Sequence, residues 1–353
     1  MRLEPQAALP PYLLNSSGQY FNLLEHNPSH RFALKTFLND FGKEITRDNF
    51  ENELKANRSI PRNNRILSLL AAFEHRGGLY LLFPWAESGD LRMIWEGHGP
   101  RHDEATGRQV AHAEWYSPEW LLTECLGIAS AVADIHGLMR STPASTCLLH
   151  ADIKPENILG FPADGGSVSL KLADFGHSKV LETPSSYVGV RGMAFTKSYR
   201  APEYDTQRTV TTRFDVWSLG CLFLDFVTWA LMGSDKVEEF GDRRLQEEKD
   251  VAEDDENVFE DTFFKQATER RSLLSWLKIS FPKGYNLGLR GCKRPVVTKV
   301  RDSVTTQIES LRNHQECDDG IRQLLDLIET RMLVPNCDFI MKTGAARQPK
   351  QLE

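Results

Sequence analysis

The segment from Leu148 to Gly176 limits what this chain can be more than any other. It reads Leu-Leu-His150-Ala-Asp152-Ile-Lys154-Pro-Glu-Asn157-Ile-Leu and closes, after a short excursion, on Leu-Ala-Asp174-Phe175-Gly176. An aspartate at 152 is suited to accept the proton of an attacking hydroxyl. Lys154, two residues on, is suited to reach a transferring phosphate, and Asn157, five residues on, to hold a metal ion. Asp174 is then suited to bridge metal to the phosphates of a nucleotide. A lone Asp-x-Lys means little, because most surface acids and lysines are simply solvated. The whole set in register, followed by Asp-Phe-Gly, points to phosphoryl transfer.

The rest of the composition is ordinary. The chain has 353 residues, 41% of them hydrophobic and 26% charged, enough for one large domain or two lobes with a real core. A net charge of −7 argues against a nucleic-acid partner, which usually meets a basic surface. The six cysteines show no Cys-x-x-Cys pair and no zinc spacing, as expected of reduced thiols. No secretory signal opens the chain. The one long apolar run, from Val216 to Gly233, is interrupted by Asp225 and reads as a buried core helix. The expectation is a soluble cytoplasmic or nuclear protein with no membrane partner.

Around the central segment, Arg31-Phe-Ala-Leu-Lys35-Thr-Phe reads as a strand. A helix is expected over Thr46 to Asn57, and either Glu53 or Glu51 on it is a candidate ion partner for Lys35. Arg65 to Phe73 and Leu79 to Phe83 read as a hairpin turning at Arg76-Gly77-Gly78. Pro84 then ends the second strand, and Trp85 to Asp90 reads as a connector. Residues 97–115 read as a polar loop, and Pro118 to Gly137 as an apolar-faced helix. Residues 235–261 carry nine acids between Glu247 and Asp261 and read as a solvated insert. Two amphipathic helices are expected over Val300 to Asn313 and Gly320 to Leu333, ahead of a frayed tail.

With these pieces together, the chain resembles the eukaryotic protein kinases over roughly residues 31–335. The resemblance rests on Phe-Ala-Leu-Lys35, Glu53, His-Ala-Asp152-Ile-Lys154-Pro-Glu-Asn157, Asp174-Phe-Gly, Ala-Pro-Glu203 and Asp215-Val-Trp-Ser-Leu-Gly, in that order. It implies an α+β, bilobal fold: a β-rich small lobe over residues 31–86 and a mainly helical large lobe over 87–335. Residues 1–30 would be an incomplete leading segment and 336–353 a tail. It implies ATP and Mg²⁺ as cofactors and a protein hydroxyl as acceptor. Lys35 would hold the α- and β-phosphates and Glu53 would hold Lys35. Asp152 would be the catalytic base, Lys154 would steady the γ-phosphate, and Asn157 and Asp174 would bind magnesium. Phe83 would stand behind the adenine, the main chain from Pro84 to Ala86 would face its edge, Asp90 would meet the ribose, and Leu159 would pack beneath the base. Lys154 resembles serine/threonine kinases, since tyrosine kinases have alanine or arginine there. Thr196 fits the same class and should touch Asp152.

Four departures accompany the resemblance. No Gly-x-Gly-x-x-Gly precedes Lys35, and Ser16-Ser17-Gly18 is the nearest remnant, so the small lobe reads as truncated. The family's His-Arg-Asp has become His150-Ala151-Asp152, which removes the usual partner of a phosphate on the loop that follows. Asn57 stands where an apolar residue normally stacks with Leu69, Phe175 and His150. Glu203 has no evident arginine late in the chain beyond Arg331 and Arg347. Two readings therefore stand: a serine/threonine kinase, or a pseudokinase serving as a nucleotide- or protein-binding module.

Overall fold

The computed structural model describes residues 12–14, 20–22, 31–37, 47–98, 101–102, 109–110, 116–138, 147–191, 193, 196–251, 259–268 and 296–335. The Ser16-Ser17-Gly18 remnant, the 139–146 loop, most of 97–115, Arg347 and the tail lie outside them. Two three-residue strands, β1 (Tyr12–Leu14) and β2 (Tyr20–Asn22), pair antiparallel. The expected strand around Lys35 is β3 (Phe32–Phe37), followed by helix α1 (Arg47–Ser59). Next come β4 (Ala71–His75) and β5 (Gly78–Pro84). β5 is the centre of a three-stranded antiparallel sheet ordered β3-β5-β4. The hairpin between β4 and β5 closes through Arg76 and Gly77, both at positive φ (49° and 79°). That is the two-residue turn whose twist matches the flanking strands, and glycine meets its second requirement without strain.

The start of the expected 65–73 strand does not join this sheet. Instead Ile66 bridges Leu172, with Leu67 N–H donating to the Leu172 carbonyl at 2.8 Å and Leu172 N–H to that of Arg65 at 2.8 Å. The cause is Arg65, whose guanidinium pairs with buried Glu124 and bonds Ser169 at 3.0 Å. That anchor draws the chain onto the helical part before the sheet begins.

The helical part starts with α2 (Leu91–His98), followed by the short pair β6 (Arg101–His102) and β7 (Gln109–Val110). α3 (Pro118–Ile135) is capped by Ser117, whose hydroxyl accepts the Trp120 N–H at 3.0 Å, with proline in its first turn. Strand β8 (Cys147–Leu149) pairs with β11 (Lys179–Leu181), and β9 (Ile158–Pro162) with β10 (Val168–Leu172). Between and after these lie β12 (Val188–Gly189), α4 (Pro202–Thr206) and β13 (Thr209–Val210). α5 (Arg213–Met232) is the axis of the core. It is long and apolar enough to cross a membrane by length and composition, yet it is buried within the protein on nearly all sides. Its aromatic face meets Trp95 and Trp120 through Phe226, and Trp229 Nε1–H donates to the Trp95 carbonyl at 2.9 Å.

The first part of the acidic insert is not the solvated loop its composition suggests; residues 252–258 lie outside the described residues. Residues Ser234–Val251 form an eighteen-residue helix, α6, that buries Val237, Phe240 and Arg244 on one stripe. Those positions recur at helical spacing, and the many acids occupy the rest of the circumference, where they mask the stripe. Strands β14 (Phe264–Thr268) and β15 (Val296–Val300) follow, then α7 (Asp302–Arg312) and α8 (Asp319–Leu327). Glu247 of α6 accepts the backbone N–H groups of Asp302 and Ser303 at 3.1 and 2.9 Å, capping α7 from outside its own chain segment. Burial alone would raise this carboxyl, but the Ser303 bonds and Lys265 hold it down at about 2. The small strand-rich N-terminal part and helical C-terminal part are those of the bilobal fold that the motifs imply.

Candidate active site

β8 is wholly buried, and the chain leaves it at His150 into a turn held by one carboxylate on α5. Asp215, with no solvent exposure, accepts the His150 N–H at 2.7 Å and the Ala151 N–H at 2.9 Å. It also meets His136 Nε2 at 2.8 Å. Ala151 sits at φ 68°, in the left-handed region that an alanine rarely adopts. The bond from its own N–H to Asp215 holds it there. The distorted residue immediately precedes Asp152, so the buried cradle sets the direction of that side chain.

Three side chains converge on Asp152. Thr196 Oγ1–H donates to Asp152 Oδ1 at 2.8 Å, and Lys154 Nζ lies 2.8 Å from Oδ2. Lys154 also donates to Thr196 Oγ1 at 3.0 Å. Asn157 Nδ2 donates both to the Asp152 carbonyl at 2.7 Å and to Oδ2 at 3.0 Å. With its amide nitrogen so engaged, Asn157 has its carbonyl oxygen as the atom suited to a cation.

On the facing side, Lys35 Nζ lies 2.8 Å from Glu53 Oε1 and 2.8 Å from Asp174 Oδ1. Glu53 is therefore the helix partner; Glu51, the alternative, is exposed. Burial pulls the lysine pKa down, but the two carboxylates outweigh it and hold the ammonium above its ordinary range. Burial would likewise raise Asp174, and Lys35 brings it below the ordinary carboxylate range. Asp174 takes positive φ (65°), and its Oδ1 also accepts the Gly176 N–H at 3.1 Å. A Cβ on Gly176 would stand 2.9 Å from Glu53 Oε2 and 3.3 Å from Lys35 Nζ, so only glycine leaves room for the trio. Asp174 and Asn157 together present carbonyl and carboxylate oxygens, the donor set a hard divalent cation takes.

Behind these, Phe175 packs edge-on against His150, ring centroids 4.9 Å apart. His150 Nδ1 accepts the Asp152 N–H at 3.3 Å, so Nε2 carries the proton it shares with the Ala173 carbonyl at 3.1 Å. Burial lowers its pKa below 6.5. Phe83 is buried in one apolar cluster with Ala33, Leu81 and Ala173, and Leu159 packs against that cluster. Pro84 and Ala86 are half-buried at the end of β5 and just beyond it. Asp90 bridges Leu159, and its Oδ1 accepts the Met93 N–H at 3.0 Å, so it caps α2.

Two of the departures take a structural form. Asn57 donates Nδ2 to the Glu53 carbonyl at 2.9 Å, turning its polarity back onto its own helix. Glu203 is buried, and the arginine whose charge acts on it is Arg213, at the start of α5; Arg331 is exposed. The cradle of Asp215 and His136 was not predicted as functional. The signal lay in an acid at the head of a mostly apolar helix, a position that burial forces to find partners.

Comparison with known proteins gives the family. Residues 16–281 match the family model described as the protein kinase domain. The chain is 28% identical over 188 residues to a probable leucine-rich repeat receptor-like protein kinase of Arabidopsis thaliana, spanning 53% of this chain and 15% of that one. It is 42% identical over 81 residues to cyclin-dependent kinase 4 of Ovis aries, 23% of this chain and 24% of that one. It is 28% identical over 204 residues to a probable receptor-like serine/threonine-protein kinase of Arabidopsis thaliana, 58% of this chain and 33% of that one. The chain thus spans a third or less of the length of these relatives. The family match runs through both the Lys35–Glu53–Asp174 trio and the Asp152 constellation, and the chain belongs to the protein kinase domain family.

Proposed function

We propose that this chain is an ATP- and Mg²⁺-dependent serine/threonine kinase acting on a protein hydroxyl. The observation that carries the reading is the constellation on Asp152: lysine, threonine and amide each within 3.0 Å of its carboxylate. In this reading Asp152 would accept the proton of the substrate hydroxyl as its oxygen attacks the γ-phosphorus and the bond to the β–γ bridging oxygen breaks, releasing ADP. Lys154 moves from its bridge with Asp152 to the charge on the phosphoryl oxygens. Lys35, held by Glu53, orients the α- and β-phosphates, while Asn157 and Asp174 hold magnesium. Bound Mg²⁺-ATP supplies the phosphoryl group and neutralises its charge. The Phe83, Ala33 and Leu159 cluster receives the adenine, Pro84 to Ala86 meet its edge, and Asp90 meets the ribose. Serine/threonine preference rests on Lys154 and Thr196, and on one relative named for that activity. Four cysteines that are free and buried suit a cytoplasmic or nuclear setting.

The missing glycine loop ahead of Lys35 favours a second reading, a nucleotide-binding module without turnover. A thermal-shift titration with ATP, with and without Mg²⁺, separates the possibilities. Stabilisation by ATP and Mg²⁺ is expected, reduced in Lys35→Met and retained in Asp152→Asn. Absence of any shift would end the nucleotide-binding claim. Phosphate transfer to a generic basic protein by wild type but not by Asp152→Asn is expected for the kinase reading. Binding without transfer would establish the module instead.

A further inference from the structure

Thr196, which touches both Asp152 and Lys154, opens a stretch in which four consecutive side chains are each gripped by a carboxylate from the region after α5 begins. Lys197 Nζ lies 3.2 Å from Glu260 Oε1. Ser198 Oγ–H donates to Asp261 Oδ1 at 2.6 Å. Tyr199 O–H donates to Asp225 Oδ2 at 2.7 Å. Arg200 pairs with Glu260 Oε2 and with Asp205 at 2.9 Å. Glu260 and Asp261 belong to a strap over residues 259–262 that follows the masking acidic helix α6.

The strap is itself tied down from beneath. Arg244 of α6 is buried, with its guanidinium carbon 4.1 Å from the Phe240 ring centroid and 4.0 Å from that of Phe263. Its Nε–H donates to the Asp261 carbonyl at 2.9 Å, and it stands 3.7 Å from Asp225 and 3.6 Å from the Asp261 carboxylate. Arg301, fully buried, donates to the Thr262 carbonyl at 2.6 Å and pairs with Glu248. Four cations and five carboxylates alternate from α5 through the strap to residue 200, and within the network Asp225 Oδ1 and Arg244 Nη1 face each other at 3.7 Å without a hydrogen bond. Meanwhile the position before Asp152 offers only the buried methyl of Ala151. A phosphate on the 177–195 loop would find no cation there.

We propose that the 259–262 strap is a built-in clamp that fixes residues 196–200 beside Asp152, with Glu260 and Asp261 as its positioning residues. It does by standing carboxylates what a phosphorylated loop would do by an acquired phosphate. The effect on turnover rests on the kinase reading; the clamp itself does not. Its reach to the catalytic aspartate runs through one hydroxyl, that of Thr196. Loosening the strap should therefore lower kcat and raise KM for the protein substrate, and leave KM for ATP alone.

The test uses the full chain with Glu260→Gln and Ser198→Ala combined, since both positions keep their shape and neither strands the buried Arg244. Hydrogen exchange should quicken about tenfold or more over residues 196–201 and stay unchanged over 147–158. kcat should fall about tenfold at constant KM for ATP, and Glu260→Asp should retain most of the wild-type rate. Unchanged exchange over 196–201 would overturn the clamp, as would a rate loss that tracks a rise in KM for ATP. If the wild type transfers no phosphate, the kinase reading falls and the exchange result alone decides the clamp.

Discussion

Replacing Asp215 by asparagine tests how the catalytic turn is held. The carboxylate accepts three donors: Ala151 N–H on Oδ1, and His150 N–H and His136 Nε2 on Oδ2. An asparagine offers one oxygen and one NH₂. If its oxygen faces His150 and His136, the Ala151 N–H is left opposite another donor. If the oxygen faces Ala151, His136 can switch tautomer and accept from the NH₂, but the His150 N–H is orphaned. Either way one buried backbone donor goes unpaired, costing about 1–3 kcal/mol. The bonds that survive lose the acceptor's charge, about 1 kcal/mol each. The sum is about 2–5 kcal/mol. For 353 residues unfolding as one unit the unfolding entropy is about 0.7 kcal/mol/K, so Tm should drop by about 3–7 °C. The protein should still fold, because typical stabilities are about 5–15 kcal/mol. Activity should suffer more than stability. Without its anchor Ala151 can relax from φ 68° toward the ordinary region, and Asp152 moves with it. A displacement of about 1 Å at the base costs about a hundredfold in rate. Ala151→Gly is the control: it keeps the N–H and favours positive φ, so it should change stability by less than about 1 kcal/mol and retain activity. Differential scanning fluorimetry and phosphate transfer measure the two effects. An Asp215→Asn protein with wild-type Tm and wild-type turnover would refute the cradle argument.

Acidification should weaken the same turn. Buried His150 has its pKa below 6.5 and accepts the Asp152 N–H on Nδ1, so a proton there would set donor against donor. A lowered folded pKa means that the unfolded chain takes up the proton first. Stability is then whole above pH 6.5 and lost as pH falls from 6.5 toward the lowered value, by up to about 1.4 kcal/mol per pH unit. Denaturant titrations at pH 7.5 and 5.5 should show that slope, flattened in His150→Gln; equal slopes in both proteins would discount it. Because Ala151 offers no cation, replacing Thr183, Ser185, Ser186 and Tyr187 together should leave phosphate transfer within about twofold of wild type. Abolished activity in that variant would show that a phosphate on this loop is needed after all.

The catalytic constellation was legible because its residues are near one another in the chain. Asp152, Lys154 and Asn157 lie within a single turn and its exit, and short spacing leaves the backbone few ways to arrange them. The hairpin at Arg76-Gly77 and the cap at Ser117 were legible for the same reason, since turn and cap chemistry acts over two to four residues. The helix inside the acidic insert was not, because a count of acids hides a stripe of only Val237, Phe240 and Arg244.

What the chain alone determined is therefore the inventory and its local order: Asp152, Lys35, Lys154, Asn157 and Asp174, with a family pattern to place them. Tertiary structure decided the pairings. It chose Glu53 over Glu51 for Lys35, drew residues 65–67 onto Leu172 rather than the sheet, and brought Asp215 under a turn 64 residues earlier. It also drew Glu260 and Asp261 onto residues 197–200 across some sixty positions of sequence. Such long-range partners are selected by burial. A charge removed from water must find its counter-charge or donor wherever the fold brings one, and no spacing rule in the sequence records that choice.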